Sequence, residues 1–348
     1  MPHAAQVLPP TAVEDDVIAF RIADPEQLFG GVRLWCDLTL PDTTFERVAG
    51  GWELRLPLPA VDRVEYLLEV TRADATESWL DPGNPLRVGG AFGDHSWLAL
   101  PGYREPDWLL VAPVPHERTA ITIGGTPVGD IDVSLWAPAD AGADEDLPLL
   151  ISHDGPEMDE LGGLTHFVGA MIATGRLPRM RVALLAPGER NPRYAANPAY
   201  ADALCHHVVP GLAVLSARRP VLMGQSLGAL AALHAEWTHP GTFAGLVLQS
   251  GSFFTPELDP QESGFEFWDQ VSGFVSSVLT AAAPSTPPVS VVFGSAEENA
   301  GNNRLVERRL AELGLDVVRG EVRDGHTWTC WRDLLDPHLP DLLAKAWG

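Results

Sequence analysis

From about residue 14 to 100 the apolar positions recur with a period of two, in short runs broken by turn residues: VIAFRIA, GVRLWCDLTL, GWELRLPLP and RVEYLLEVTR, then WLDPGNPLRVGGAFGDHSWLAL. Alternation of this kind puts one face of a strand in a core and the other in water. No helix-period stretch of any length interrupts the runs, so they predict a small immunoglobulin-like β-sandwich. PGYREPDWLLVAPVPHER, residues 101–118, carries four prolines and little periodicity, which places a first domain over residues 1–110 and a second over 111–348.

In the second part the pattern changes. After two strand-like segments, TAITIG and DIDVSLWAP, fully apolar runs alternate with helical stretches. LPLLISHDG precedes a helix near 161–175, RVALLAP one near 198–216, and PVLMGQS one near 227–239. AGLVLQSGS and VSVVFGS follow, then a helix near 302–313, VVRGEVRDG and a closing helix near 328–346. Strands apolar on both faces and separated by helices imply an α/β layer fold with a mostly parallel sheet. Between 252 and 288 the chain carries an insertion whose aromatic residues are suited to walling a pocket.

Composition narrows the partners. The 348 residues, 45% of them hydrophobic, suffice for about two domains with sizeable cores. Asp and Glu total 47 against 23 Lys and Arg, and a net charge of −24 repels phosphate backbones and anionic lipid, which excludes nucleic acids and membrane surfaces as partners. Cys36, Cys205 and Cys330 are odd in number, far apart and without a C-x-x-C pair, so no disulfide scaffold is expected. The start, MPHAAQVLPPTAVEDD, lacks a basic segment followed by an apolar one, and no stretch reaches the roughly 18 apolar residues of a membrane span. A soluble cytoplasmic protein is expected, of undetermined oligomeric state. The acidic residues in AGADEDLP, at 142–146, read as a solvated loop.

The chemistry centres on Gly224-Gln225-Ser226-Leu227-Gly228, a G-x-S-x-G pattern set between a buried-strand run and an Ala/Leu-rich helix. On such a strand-to-helix turn a serine is held above the sheet edge in a strained backbone that admits only small neighbours. The helix that follows turns its positive end toward the reaction centre. Ser226 is therefore the candidate nucleophile, and a serine hydroxyl needs a base oriented by a third group. In this kind of fold the chain order is Ser, acid, His. Of eleven histidines only His326 and His338 lie beyond the last sheet-forming segments, and His326 follows a strand with a glycine beside it, as a general base should. The acid belongs after VSVVFGS, where Glu297 and Glu298 are adjacent; Glu297 is favoured by its offset from Gly294. One oxyanion donor is the backbone N–H of Leu227. Pro156 has no N–H, so the second donor falls to Gly155 or Glu157.

With these residues in place the chain resembles the enterochelin (enterobactin) esterase family, a branch of the esterases within the α/β-hydrolase fold. Four stretches carry the likeness: the HDG loop 153–155, the elbow 224–228 with LVLQSGSFF downstream, FGSAEEN at 293–299, and DGHTWTCWR at 324–332. DPGNP and GGAFG, within 81–93, resemble that family's N-terminal immunoglobulin-like domain. The resemblance implies hydrolysis of the serine-trilactone backbone of a catecholate siderophore without a metal or organic cofactor, with Ser226, His326 and Glu297 as the triad and a small ester such as a ferric siderophore as the partner. Where members often carry a Glu, this chain has His207. A ferric tris-catecholate is anionic, so local cations must invert the chain's field: Arg190 and Arg193 are the candidates, with anchoring of their loop as the alternative. Asp154, in the HDG loop, is a further candidate substrate contact. Phe253, Phe254, Trp268 and Trp328 could stack on an aromatic substrate or pack in the core.

Two other readings are set aside. His206-His207 could suggest a metal, but adjacent helical residues project in different directions and neither an H-E-x-x-H motif nor a spaced carboxylate is evident, so no metal site is expected. Cys330, four residues after His326, is expected to pack inward rather than act as a nucleophile.

Overall fold

The structure, a computed structural model, describes residues 8–142 and 145–348. The first seven residues of the N-terminal stretch, and Ala143 and Asp144 of the acidic loop, lie outside the described residues. The chain divides into two compact units: one runs up to Arg104 and takes in Gly294–Glu298 and Arg323–Thr327, and the other holds Glu105–Phe293, Asn299–Val322 and Trp328–Gly348.

The first unit is all β. Its strands are β1 (Ala12–Glu14), β2 (Val17–Ala23), β3 (Gly31–Trp35), β4 (Glu46–Val48), β5 (Gly51–Pro57), β6 (Arg63–Arg72), β7 (Ala75–Trp79), β8 (Arg87–Val88) and β9 (His95–Ala99). They pair antiparallel as a sheet β1-β2-β5-β4 and a sheet β3-β6-β9-β8, with β7 beside β6. Alternate residues of β5 (Trp52, Leu54, Leu56) and β6 (Val64, Tyr66, Leu68, Val70) enter one shared core, the period of two read from the sequence. DPGNP forms a turn whose polar side chains are buried: Tyr66 Oη donates to Asp81 Oδ2 at 2.7 Å, and Asn84 Nδ2 donates to Tyr66 Oη at 3.1 Å. Ala296, from the distant 294–298 segment, packs against this same core.

The second unit is a mixed α/β fold. Its strands are β10 (His116–Ile123), β11 (Ile131–Pro138), β12 (Leu149–Ser152), β13 (Arg181–Leu185), β14 (Val221–Gln225), β15 (Gly245–Gln249), β16 (Val289–Gly294) and β17 (Val317–Val322). They form one sheet in the order β10-β11-β13-β12-β14-β15-β16-β17. The β10–β11 hairpin and the β11–β13 pair are antiparallel, whereas β13, β12, β14, β15 and β16 run parallel. The helices are α1 (Gly155–Glu160), α2 (Leu164–Ala173), α3 (Arg190–Tyr194), α4 (Pro198–Ala203), α5 (Val209–Leu212), α6 (Leu227–Thr238), α7 (Trp268–Thr280), α8 (Ala300–Glu312), α9 (Trp328–Asp333) and α10 (His338–Trp347).

Neighbouring strand residues feed opposite cores, which is why these strands read as unbroken apolar runs. Leu222 of β14 joins α4, α6, α7 and α8 on one face, while Val221 and Met223 join α2 and α10 on the other. The structure corrects two of the helical expectations and adds a helix. The helix near 161–175 begins earlier, as α1 at Gly155, and is broken before α2, where Gly163 takes φ 65°. The stretch 198–216 is α4, a π-helical turn Leu204–Val208, α5 and a short 3-10 turn rather than one helix. The 252–288 insertion contains α7, whose Val271, Val275 and Val278 are buried at helical spacing.

Candidate active site

The elbow is built from its glycines outward. β14 ends at Gln225 and α6 starts at Leu227, leaving Ser226 between them at φ 55°, ψ −121°. A non-glycine residue in that region is strained and persists only where its surroundings over-determine it. They do so here: Ser226 N–H donates to Gln249 O at 2.9 Å, and Ser226 O accepts from Ala229 N at 3.1 Å and Ser252 N at 3.1 Å. A Cβ on Gly224 would stand 2.2 Å from Gly228 O, so the turn cannot close around any larger residue. Ser226 Oγ lies 3.1 Å from Ser252 Oγ. The buried Leu227 opens the twelve-residue α6, whose positive end therefore meets the serine.

Asp154 leads into α1 with φ 43°. Its buried carboxylate accepts two parallel bonds from Arg190, Nε to Oδ1 and Nη2 to Oδ2, both 2.8 Å, and its N–H donates to Tyr194 Oη at 3.2 Å. Burial opposes the Arg190 charge, but the Asp154 hydrogen bonds and charge outweigh it and raise the guanidinium's pKa. His153, fully buried, sits with Nδ1 2.9 Å from Gly228 O, which ties the HDG loop to the first turn of α6. Burial lowers its pKa to about 4, so near neutral pH the ring is uncharged and Nδ1–H is the donor.

His326 and Glu297 meet in the first unit, with Nδ1 3.2 Å from Oε2. The Glu297 side chain is wholly buried, and a quarter of the His326 side chain is exposed. Burial opposes the imidazolium, but the Glu297 hydrogen bond and charge, helped by Asp37 and Glu298, outweigh it and raise the His326 pKa above its ordinary value. Glu298 is exposed and contributes only through its charge. The two segments that carry this pair are laced together. Ala296 N donates to Asp324 O at 3.0 Å, and a Cβ on Gly294 would stand 2.4 Å from that same oxygen. Arg63, at the start of β6, donates to Asp324 Oδ2 at 2.5 Å and Thr327 Oγ1 at 3.3 Å, which brackets His326 from both sides along the chain. Asp62 N donates to Arg323 O at 2.7 Å.

The esterase family model, described as "Putative esterase", matches residues 126–342. The chain belongs to this esterase family. It is similar to the iron(III) enterobactin esterase of Escherichia coli, 26% identical over 306 residues that cover 82% of this chain and 72% of that protein. Among solved structures it is similar to the ferric enterobactin esterase of Salmonella typhimurium, with TM-score 0.77, 20% identity and 95% of each chain covered. It is also similar to the Shigella flexneri enterobactin esterase in the presence of enterobactin, with TM-score 0.75, 20% identity, and 94% of this chain and 93% of that one covered. At these identities the structural likeness establishes a shared fold.

In this esterase several sequence-chosen residues are engaged within the protein. Arg190 and Asp154 neutralise each other, so neither presents an unpaired charge. Arg193 donates to Val128 O at 3.0 Å and Asp130 O at 3.2 Å, which makes it an anchor for its loop. Phe253 is fully buried in the core, and Phe254 stacks on Trp268, so neither is a free platform. Trp328 opens α9 and packs edge-on against Trp331, centroids 4.8 Å apart. Gly155 is the first residue of α1 rather than part of an open loop, because Asp154 has already turned the chain. Cys330 is fully buried beside Val292 and Leu334. Sequence reasoning missed His153, Ser252 and Arg63. The first two stood in quoted motifs, and an arginine at a buried strand position was the available signal for the third.

Proposed function

We propose that the protein is a serine carboxylic-ester hydrolase that cleaves ester bonds of a catecholate siderophore through an acyl-enzyme. The observation that carries the reading is Ser226, held at positive φ between β14 and α6 with a helix N-terminus behind it. In this reading His326 takes the Ser226 proton, Glu297 orients the ring and stabilises the imidazolium, and the oxyanion is received by the N–H groups of Leu227 and Gly155. Water then attacks the acyl-enzyme, with His326 as base, and releases the acid. Support for the triad comes from the Ser, acid, His chain order and from the raised His326 pKa beside a buried Glu297. Glu297 and His326 also follow β16 and β17, strands of the same sheet as β14. No step on this route calls for a metal or organic cofactor.

Support for the substrate comes from the relatives, an iron(III) enterobactin esterase and enterobactin esterase structures. The domain reading is an immunoglobulin-like sandwich over 1–110 and an α/β-hydrolase catalytic domain over 111–348, in a cytoplasmic enzyme. No helix among the described residues is long and apolar enough to cross a membrane.

One observation favours a second reading. Arg190 and Arg193 are both engaged within the protein, and the chain carries −24, which suits an uncharged ester such as a hydroxycinnamoyl ester better than a ferric catecholate. Hydrolysis of free and iron-loaded enterobactin beside p-nitrophenyl acetate and butyrate, by wild type and Ser226→Ala, separates the two. Turnover of the trilactone orders of magnitude faster than the simple esters, abolished in Ser226→Ala, supports the first reading, and cleavage of the simple esters alone overturns it. A fluorophosphonate that fails to label Ser226 would overturn the esterase mechanism itself.

A further inference from the structure

We propose that Asp202, His206 and His239 form a surface site for a divalent transition-metal ion of the zinc class. Asp202 lies in α4 and His206 four residues on, in the π-helical turn Leu204–Val208, while His239 follows the last residue of α6. Their ligand atoms all stand within 4.8 Å of one another. His239 Nε2 is 2.9 Å from Asp202 Oδ1, and the His206 and His239 rings are 4.9 Å apart at 79°. Two ligands each roughly 2.1 Å from one tetrahedral ion stand roughly 3.4 Å apart, so the Asp202–His239 pair, at 2.9 Å, need open only slightly to take an ion. His206 is exposed and free of core packing, so rotation of its side chain closes the remaining gap.

A second contact holds the ring of His239. Thr238 Oγ1 lies 2.8 Å from His234 O and 3.1 Å from His239 Nδ1. The other ring nitrogen, Nε2, faces Asp202 Oδ1 at 2.9 Å. A hydrogen bond that fixes one ring nitrogen and leaves the other for the ion is the usual support of a histidine ligand. Two imidazoles and one carboxylate suit zinc, nickel or copper rather than calcium or magnesium. The ion would clip the π-helical turn to the C-terminal end of α6, the helix that begins beside Ser226. The sequence reading passed over Asp202, one helical turn before His206, and the second imidazole, 33 residues on, has no sequence signal.

The test reads binding rather than hydrolysis, so it stands apart from the esterase reading. Zn²⁺ is titrated calorimetrically at pH 7.5 into wild type, His206→Ala, His239→Ala and the control His207→Ala. One Zn²⁺ per wild-type chain, at least tenfold weaker in His206→Ala and His239→Ala and unchanged in His207→Ala, is expected, together with a rise in Tm that millimolar Mg²⁺ does not reproduce. His206 is exposed, so its substitution leaves the fold intact. Absence of binding by wild type, equal binding by His206→Ala, or loss in His207→Ala would overturn the proposal.

Discussion

Arg63 is the residue whose removal tests how the histidine segment is held. Its side chain is 1% exposed and reaches Asp324, 11% exposed, and Thr327. The buried Glu65 carboxylate lies 3.5 Å from its Nε. Deleting the guanidinium leaves two buried carboxylates without it, and breaking a buried pair from one side costs roughly 3–5 kcal/mol. Arg63→Ala should therefore lower the stability of the first unit by about that amount, measured by urea unfolding with linear extrapolation. Asp324 and Thr327 flank His326 in sequence, so on the triad reading the loss also appears in kcat, with KM little changed. Arg63→Lys keeps the charge but not the fork that spans Asp324 and Thr327, and should fall between wild type and Arg63→Ala. Pairing Arg63→Ala with Asp324→Asn should cost less than the sum of the singles, since the second change removes the charge stranded by the first. A stability change under about 0.5 kcal/mol for Arg63→Ala, or an additive double variant, would refute the idea that this contact holds the segment.

Two further predictions concern protons. The raised His326 pKa means that the protonated ring is favoured by the fold, so its contribution to stability is full below its unfolded pKa and is lost as pH rises through the folded one. Catalysis needs the neutral ring, so the acid limb of kcat/KM should have its midpoint above about 6.5, and Glu297→Gln should move that midpoint down and lower kcat on the order of 10³–10⁴-fold; an unmoved limb would count against the pair. His234, buried in α6 against Phe274, has its pKa lowered to about 4 by burial. The unfolded chain binds that proton first, so stability present above about pH 6.5 is lost on acidification, by about 2 kcal/mol at pH 5. His234→Leu should flatten the fall between pH 7 and 5, and an unchanged slope would show that His234 is not its source.

Local features are legible in the chain alone. Alternation in β5 and β6, unbroken apolar runs in β14 to β16, and glycines on either side of Ser226 each express a constraint settled within a few residues. Glu297 stood out by an offset of three residues from Gly294, and the structure pairs it with His326. Which charges pair within the protein follows from the folded arrangement. Whether Arg190 faces a ligand depends on Asp154, 36 residues away, and Arg193 is claimed by carbonyl oxygens more than 60 residues back. The strap from Arg63 to Asp324 spans 261 residues, and His206 finds His239 only where the end of α6 meets the π-helical turn. Hydrophobic periodicity records burial against the nearest core, so it survives in one dimension. A buried charge is matched by whichever group the fold delivers, and that choice leaves no spacing for a sequence to show.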